Sequence, residues 1–132
     1  TEHSKVERVS YPGLKTFKQS ELAHRQMTTI DGTFAPGSLI SFILKGDPES
    51  ARKKGGLLAN WLAKHSLCYS LAVSLGQVKT LIEHPSTMSH AVIPLDEQIK
   101  GGIEPGGLRL SIGLEDVRLL IEELDQGLST IA

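Results

Sequence analysis

The segment 38–44 constrains the fold more than any other part of the sequence. Its alternating side chains form two rows, Ile40, Phe42 and Leu44 in one and Leu39, Ser41 and Ile43 in the other. Both rows are mostly apolar, and a strand with this pattern is typically covered on both faces. We therefore predict a central β-strand that is covered on both sides.

A helix is predicted directly after this strand. Asp47-Pro48-Glu49 combines an N-cap residue, a proline at the first helical position and an acid in the first turn. The helix should run to about Lys64 and bury Leu58, Trp61 and Leu62, although Gly55 and Gly56 each weaken it by about 1 kcal/mol relative to alanine.

The remaining pattern is mixed. Alternation predicts strands at Lys5–Val9, Leu67–Leu75 and Leu108–Ile112, and a Thr16/Gln19 capping box predicts a helix over Phe17–Met27. A C-terminal helix should open at Glu115-Asp116. Its predicted apolar stripe is Val117, Leu120, Ile121, Leu124 and Leu128, and its predicted solvent side is Arg118, Glu122, Glu123 and Asp125.

Two to four strands interspersed with helices predict an α+β fold, a small sheet with helices packed mainly on one face. A doubly wound sheet is disfavoured because the spacings contain no run of equal βα units. The 132 residues fit one domain, residues 1–132, with enough length for a core.

Composition narrows the classes of partner. The formal charge is -1, from 14 basic and 15 acidic residues, which argues against nucleic-acid or acidic-membrane binding. The only basic run, Arg52-Lys53-Lys54, is interpreted as a solvated helix face. Scattered histidines disfavour a metal site, and a single thiol, Cys68, fits a reducing compartment. No apolar run is long enough to span a bilayer and no signal segment opens the chain, so we expect a soluble, cytoplasmic protein.

Two polar residues on predicted strands stand out as candidates for binding. Arg109 projects opposite an apolar face and could grip a carboxylate through its planar fork, while Ser74 ends the small face of another strand. The alternative to a binding role is that Arg109 lies in an edge strand and pairs with a surface acid. His84, Ser89 and His90 lie near Glu83, but solvated or helix-capping histidines are the favoured interpretation, since no nucleophile or metal motif accompanies them.

Several ordered motifs resemble one enzyme family. They are Tyr11-Pro12-Gly13-Leu14, Ala72-Val73-Ser74-Leu75-Gly76, Leu81-Ile82-Glu83-His84-Pro85, Met88-Ser89-His90 and Gly107-Leu108-Arg109-Leu110-Ser111-Ile112-Gly113-Leu114-Glu115-Asp116. Together they resemble the C-terminal part of the Cys/Met-metabolism enzymes that use pyridoxal phosphate, and the similarity runs from about Val6 to Gly127.

The resemblance implies a substrate-carboxylate site. In the family, the serine of the SLG motif and the arginine of the RLS motif hold the substrate's α-carboxylate, and these are Ser74 and Arg109 here. Val73, Leu75 and Ser89 join them as substrate-binding candidates by the same motifs. An apolar Val73, where cystathionine-handling members often carry glutamate, resembles methionine gamma-lyase or a sulfhydrylase. Ser89 replaces the family's threonine, and Gln77 replaces a second glycine.

The resemblance also implies what lies elsewhere. The family's Schiff-base lysine and phosphate-binding loop belong to a large domain that this sequence does not match, so we expect the chain to be the smaller C-terminal domain, without catalytic residues and inactive alone. The whole enzyme is expected to be a homotetramer acting on a sulfur amino acid. The alternatives are a domain of a homoserine-ester sulfhydrylase or a cystathionine gamma-synthase or lyase, and a standalone noncatalytic module.

Overall fold

A computed structural model describes residues 3–131 as an α+β fold, as predicted, with a five-stranded mixed sheet. The strands are β1 Val6–Ser10, β2 Leu39–Leu44, β3 Tyr69–Leu71, β4 Thr80–Glu83 and β5 Gly107–Ser111. The helices are α1 Ser20–Gln26, α2 Pro48–His65, α3 Leu95–Lys100 and α4 Val117–Thr130, and a short 3-10 helix covers Pro85–Thr87.

The strand order is β1-β2-β5-β4-β3. All neighbouring strands are antiparallel except β3 and β4, which are parallel. Parallel neighbours require the chain to return to the end of the sheet where it started. The loop 72–79 makes this return between β3 and β4, and its course determines what lies over the sheet.

One face of the sheet forms the core with α2 and α4. Phe42 and Leu44 of β2, Leu108 and Leu110 of β5 and Ile82 of β4 are all buried there. The second face of β2 is not covered along its length, because Leu39 is 42% exposed and Ser41 is exposed. The prediction of a central strand is confirmed, because β2 lies between β1 and β5, but its second face is covered only at Ile43. Helices pack on one face, and the other face is partly open.

The long helix α2 forms as its sequence predicts. The Asp47 carboxylate accepts a hydrogen bond from the Ser50 N–H at 3.1 Å and caps the helix, and the helix extends to His65. Leu58 and Leu62 are fully buried, whereas Trp61 is only partly buried. Burial of two leucines fixes the helix against the sheet, since each buried side chain contributes about 1.5–3 kcal/mol.

The basic run on α2 differs from its interpretation. Arg52 is half-buried, and its guanidinium donates to the hydroxyl and carbonyl oxygens of Ser86 at 3.0 and 3.3 Å. Ser86 in turn donates to the buried Gln98 amide oxygen at 2.6 Å. Arg52 therefore ties α2 to the 3-10 helix and α3, and the prediction of a fully solvated face was wrong for this residue.

The C-terminal helix packs along a narrower line than its apolar pattern predicts. Leu120 and Leu128 are buried, but Val117 and Ile121 are 63% and 64% exposed. The helix approaches α2 at Gly127, where an added Cβ would lie 2.8 Å from Leu58 Cδ1. This close contact turns the flanking side of α4, with Val117 and Ile121, away from the core.

Glu123 is not on the solvent side of α4 as predicted. Its carboxylate accepts from the Leu67 and Cys68 N–H groups at 3.0 and 3.1 Å and from the Ser66 hydroxyl. Burial raises its pKa, but these hydrogen bonds outweigh burial and lower the pKa overall. Glu123 thus holds the segment between α2 and β3 onto α4.

Two predicted boundaries were too generous. The first helix begins at Ser20 rather than Phe17, and its N-cap residue, Gln19, makes no side-chain capping bond, so the Thr16 capping box does not form. The third strand covers only Tyr69–Leu71 of the predicted Leu67–Leu75. The rest of that alternating run leaves the sheet because it must form the return loop to β4.

Candidate functional site

A polar row crosses the open face of the sheet. The strand registers pair Ser10 with Ser41, Ser41 with Arg109, and Arg109 with Glu83, so four strands contribute one residue each. Residues directly opposite one another in antiparallel strands share a face. Arg109 therefore lies in a central strand of the sheet. The alternative prediction, an arginine in an edge strand, was wrong.

Arg109 is held in place through one nitrogen. Its Nη2 lies 2.6 Å from the Glu83 Oε2 and 3.0 Å from the carbonyl oxygens of Val73 and Ser74. Glu83 is 2% exposed, whereas the Arg109 side chain is 27% exposed. The partner of Arg109 is therefore a buried carboxylate, not a surface acid.

Part of the guanidinium remains available for another ligand. Arginine has five N–H donors on Nε, Nη1 and Nη2. Within residues 3–131, the hydrogen bonds and the ion pair of Arg109 all involve Nη2. The Nε and Nη1 donors are thus free to meet an anion that approaches from the exposed side.

The loop 72–79 is fastened over this same face of β5. Arg109 holds the carbonyls of Val73 and Ser74, and two residues further along β5 the Ser111 hydroxyl accepts from the Gly76 N–H at 2.9 Å. Gly76 has a φ of 77°, a conformation that glycine adopts without strain. The glycine of the SLG motif therefore gives the loop the turn that brings Ser74 to Arg109.

The candidates Val73, Ser74 and Leu75 lie in this loop rather than in a strand. Ser74 is exposed, and Val73 and Leu75 are 54% and 51% exposed. The Ser74 contact with Arg109 is made by its carbonyl oxygen. Its hydroxyl donates to no acceptor in the described part of the chain, which leaves it available to a ligand.

Ser89 reaches the site through Glu83. Its hydroxyl donates to the Glu83 Oε1 at 2.6 Å and lies 2.9 Å from the His90 Nδ1. The two oxygens of Glu83 are thus divided between Ser89 and Arg109. The structure brings together Arg109, Ser74 and Val73 directly, and joins Ser89 to them through Glu83.

Glu83 is the residue of this cluster that sequence reasoning did not single out for binding. It ends β4, a four-residue strand that the sequence analysis did not predict. The signal was a short apolar run, Leu81-Ile82, followed by a carboxylate and a His-Pro turn. Such short runs are ambiguous between strand and buried helix, so the strand is clear only once it lies beside β5.

His84 was predicted to be a solvated or helix-capping residue, and this prediction was wrong. It is a buried packing residue whose side chain does not cap a helix. It is fully buried, its Nε2 donates to the Pro105 carbonyl at 2.8 Å, and its Nδ1 accepts from the Thr87 hydroxyl at 2.7 Å. Burial lowers its pKa. Since Pro105 directly precedes β5, His84 fixes the approach to the strand that carries Arg109.

A shallow groove runs along the open face beside the row. It has a volume of about 280 Å³, and Arg109 and the exposed Arg8–Glu104 ion pair are among its walls. Gly107 and Gly102 also line it.

The fold and the ordered motifs are those of a family of metabolic enzymes. The chain belongs to the Cys/Met metabolism PLP-dependent enzyme family, whose model matches residues 1–129. The resemblance carried by the SLG and RLS motifs is thereby confirmed.

Curated relatives include lyases of sulfur amino acids. The chain is 46% identical over 129 residues to the L-methionine gamma-lyase of Fusobacterium nucleatum subsp. polymorphum and 43% identical to that of Porphyromonas gingivalis. It is 38% identical to the cystathionine gamma-lyase of Dictyostelium discoideum. These matches cover 96–98% of the chain but only 29% of each relative.

Solved structures give the same picture. The cystathionine gamma synthase of Xanthomonas oryzae pv. oryzae in complex with cystathionine is similar with a TM-score of 0.73 and 37% identity. The match covers 97% of the chain and 30% of the synthase. The chain therefore corresponds to somewhat under a third of its relatives.

The lysine contacts of residues 3–131 bear on whether this part of the chain could bind pyridoxal phosphate covalently. A lysine that binds the cofactor's aldehyde would have to lie in the site, but the lysines that bond within residues 3–131 do so elsewhere. The Lys5 ammonium contacts the Ser129 and Ile131 carbonyls, Lys54 contacts the Lys45 carbonyl, and Lys100 pairs with Asp96. In this part of the chain no lysine hydrogen-bonds to the Arg109 cluster.

Residues 3–131 form neither a metal site nor a membrane-spanning helix. There, no three side chains of the His, Cys, Asp or Glu type gather closely enough to hold a metal ion. The helices of this same part are too short or too polar to cross a membrane.

Proposed function

We propose that this chain is the substrate-carboxylate-binding domain of a PLP-dependent sulfur amino-acid enzyme that cleaves a C–S bond by γ-elimination, as methionine gamma-lyase does. The observation that carries the proposal is the Arg109 guanidinium, held at Nη2 with its remaining donors free at the open face. A guanidinium stays protonated at physiological pH. Arg109 therefore binds and orients an anion and does not transfer protons.

In this role Arg109 fixes one end of the substrate. A guanidinium can bind a carboxylate through two parallel N–H···O hydrogen bonds in one plane. This geometry fixes the direction of the carboxylate and so orients the rest of the substrate. The free Ser74 hydroxyl adds a donor beside it. The half-exposed Val73 and Leu75 offer apolar contacts that suit a thioether better than a second charged head, which favours a methionine-like substrate.

The cofactor and the groups that react with it are assigned to residues outside this chain. The whole enzyme would then be the functional unit, and a homotetramer remains the expectation for it. The isolated chain should be catalytically inactive, since no lysine within residues 3–131 hydrogen-bonds to the Arg109 cluster.

The carboxylate assignment is tested in a chimera in which this chain replaces the matching segment of the Fusobacterium nucleatum lyase. Arg109→Ala should raise the KM for L-methionine about ten- to a hundredfold, because a hydrogen bond to a charged group contributes about 1.5–3 kcal/mol. The KM of Arg109→Lys should lie between those of the unsubstituted chimera and Arg109→Ala, since lysine keeps the positive charge and lacks the planar pair of donors. Arg118→Ala is the matched control, because that arginine is 86% exposed and, among residues 3–131, pairs with Asp116 alone. An unchanged KM for Arg109→Ala would refute the assignment.

The second candidate is a homoserine-ester sulfhydrylase or a cystathionine gamma-synthase or lyase, favoured by the similarity to the Xanthomonas oryzae synthase. Placing the same segment in that synthase and assaying product formation from an acylated homoserine compares the two. The first candidate would be supported if the lyase chimera releases methanethiol and ammonia from methionine while the synthase chimera forms no product from the acylated homoserine.

The third candidate is a standalone noncatalytic module. Mixing the isolated chain with pyridoxal phosphate tests the expected inactivity, because a lysine-bound cofactor gives a visible absorbance band that borohydride removes. A saturable, reducible band would show that the isolated chain does bind the cofactor covalently.

A further inference from the structure

We infer that Glu83 is a positioning residue that competes with the substrate carboxylate for Arg109 and so lowers the affinity of the site. The inference rests on the proposed function and adds a residue that sets its strength. It follows from three observations on the geometry around Nη2.

The first observation is the crowding at one nitrogen. Nη2 carries two hydrogens but faces three acceptors, which are the Glu83 Oε2 and the carbonyls of Val73 and Ser74. A bidentate carboxylate grips a guanidinium through Nη2 together with either Nε or Nη1. An incoming carboxylate must therefore take a share of the nitrogen that Glu83 already uses.

The second observation is the burial of Glu83. At 2% exposure its carboxylate has little access to water, and its polar partners in the described residues are Arg109 and the Ser89 hydroxyl. When the substrate carboxylate withdraws Arg109, Glu83 is left with one neutral hydrogen bond. A buried charge that loses its counter-ion is costly, so the substrate binds against this cost.

The third observation is the placement of the charges. The registers put Glu83 and Arg109 directly opposite on β4 and β5, so a carboxylate bound to Arg109 lies within a few ångströms of a second negative charge. Two like charges at about 6 Å repel, which weakens binding roughly three- to a hundredfold for an effective dielectric constant between 80 and 20. This repulsion weakens binding and favours release.

The Glu83→Gln variant separates two effects of Glu83, which are holding the Arg109 side chain in place and competing for it with its negative charge. Glutamine is the same size, can accept from Arg109 Nη2 through its oxygen and can bond Ser89 through its amide. It therefore keeps the guanidinium in place and removes the charge. We expect Glu83→Gln to bind the carboxylate at least about threefold more tightly than the wild-type chain.

The experiment titrates the 132-residue chain with L-methionine and follows the backbone amide signals of residues 73–75 by NMR. Arg109→Ala should abolish the saturable shifts, and Glu83→Gln should lower the Kd at least threefold. Glu122→Gln is the matched control, because it makes the same change in net charge on the exposed side of α4, across the sheet. Its Kd should match the wild type within twofold.

Glu83→Leu is the second charge-free variant, and the amide spectrum of each variant reports whether it is folded. An equal or weaker affinity in both Glu83 variants, with Arg109→Ala still abolishing binding, would overturn the inference and leave the carboxylate site intact. Identical shifts in the wild type and Arg109→Ala would instead refute the carboxylate site itself, and the inference with it.

Discussion

The Glu83 carboxylate and the Arg109 guanidinium face each other on adjacent antiparallel strands, with Oε2 2.6 Å from Nη2. The arginine that we propose as the carboxylate-binding residue thus already has an internal carboxylate as its partner. The pair lies where the loop 72–79 crosses the open face of the sheet, and the same Arg109 nitrogen contacts the Val73 and Ser74 carbonyls of that loop.

The first prediction concerns two adjacent glycines on α2. An alanine Cβ at position 55 would lie 2.7 Å from the His84 Cδ2, in a ring already fixed by two hydrogen bonds. Gly55→Ala should therefore lower the free energy of unfolding by about 1–3 kcal/mol. Urea denaturation of the purified chain measures the change.

Gly56→Ala is the control for this prediction. The nearest atom to an added Cβ there is 3.8 Å away, on Thr87. Removing a helical glycine without a clash should raise the free energy of unfolding by about 0.5–1 kcal/mol. Equal effects of the two substitutions would contradict the close approach of His84 to Gly55.

The second prediction concerns pH and Glu123. Its pKa is lowered in the folded chain from an ordinary value of 4.5, by hydrogen bonds that outweigh burial. A lowered carboxyl pKa contributes stability that is present above pH 4.5 and is lost as the pH falls through the folded value. Glu123→Gln should cost about 1–2 kcal/mol at pH 7 and progressively less in acid.

Glu122→Gln tests whether the effect belongs to Glu123. The Glu122 side chain is exposed and its hydrogen bond is a 3.3 Å contact from Gln126 on the same helix. Its loss should change the free energy of unfolding by no more than about 0.5 kcal/mol. A cost at Glu123 that stays constant down to pH 3 would argue against the carboxylate contacts with residues 66–68.

The third prediction concerns His84. Burial lowers its pKa from 6.5, so between the folded value and pH 6.5 the unfolded chain binds a proton that the folded chain does not. The free energy of unfolding should therefore decline as the pH falls below 6.5, by up to about 1.4 kcal/mol per pH unit. Thermal or urea unfolding between pH 7.5 and 5.5 measures this slope.

His84→Asn provides the comparison. Asparagine keeps a polar side chain in the pocket but does not titrate, so this variant should be less stable at pH 7.5 and show a smaller decline toward pH 5.5. An unchanged slope in His84→Asn would assign the pH dependence to other groups.

Much of the fold was predictable because its signals are local. The Asp47-Pro48-Glu49 start fixed the beginning of α2, and alternation identified β2 and β5 to within a residue or two. What failed depended on packing. The apolar pattern of α4 included Val117 and Ile121, but the contact at Gly127 determined which side faces the core.

The candidate site divides in the same way. Arg109 and Ser74 stand out first from the predicted strand pattern, and then because their motifs resemble those of the family to which the chain belongs. Their local structure could not be predicted as well, because the alternation of Leu67–Leu75 continues past the point where the strand ends. The run leaves the sheet at Leu71, since a parallel β4 requires the chain to turn back across the face.

The sequence by itself therefore determined the main helices and strands, the α+β class and the family, because helix caps, periodicity and motifs depend on residues that are close together in the sequence. Only the tertiary structure decided the partners of Arg109. Glu83 meets it through the pairing of β4 with β5, and the carbonyls of Val73 and Ser74 meet it through the course of the loop 72–79. These contacts join residues distant in sequence, and they exist only once strand order and register are set.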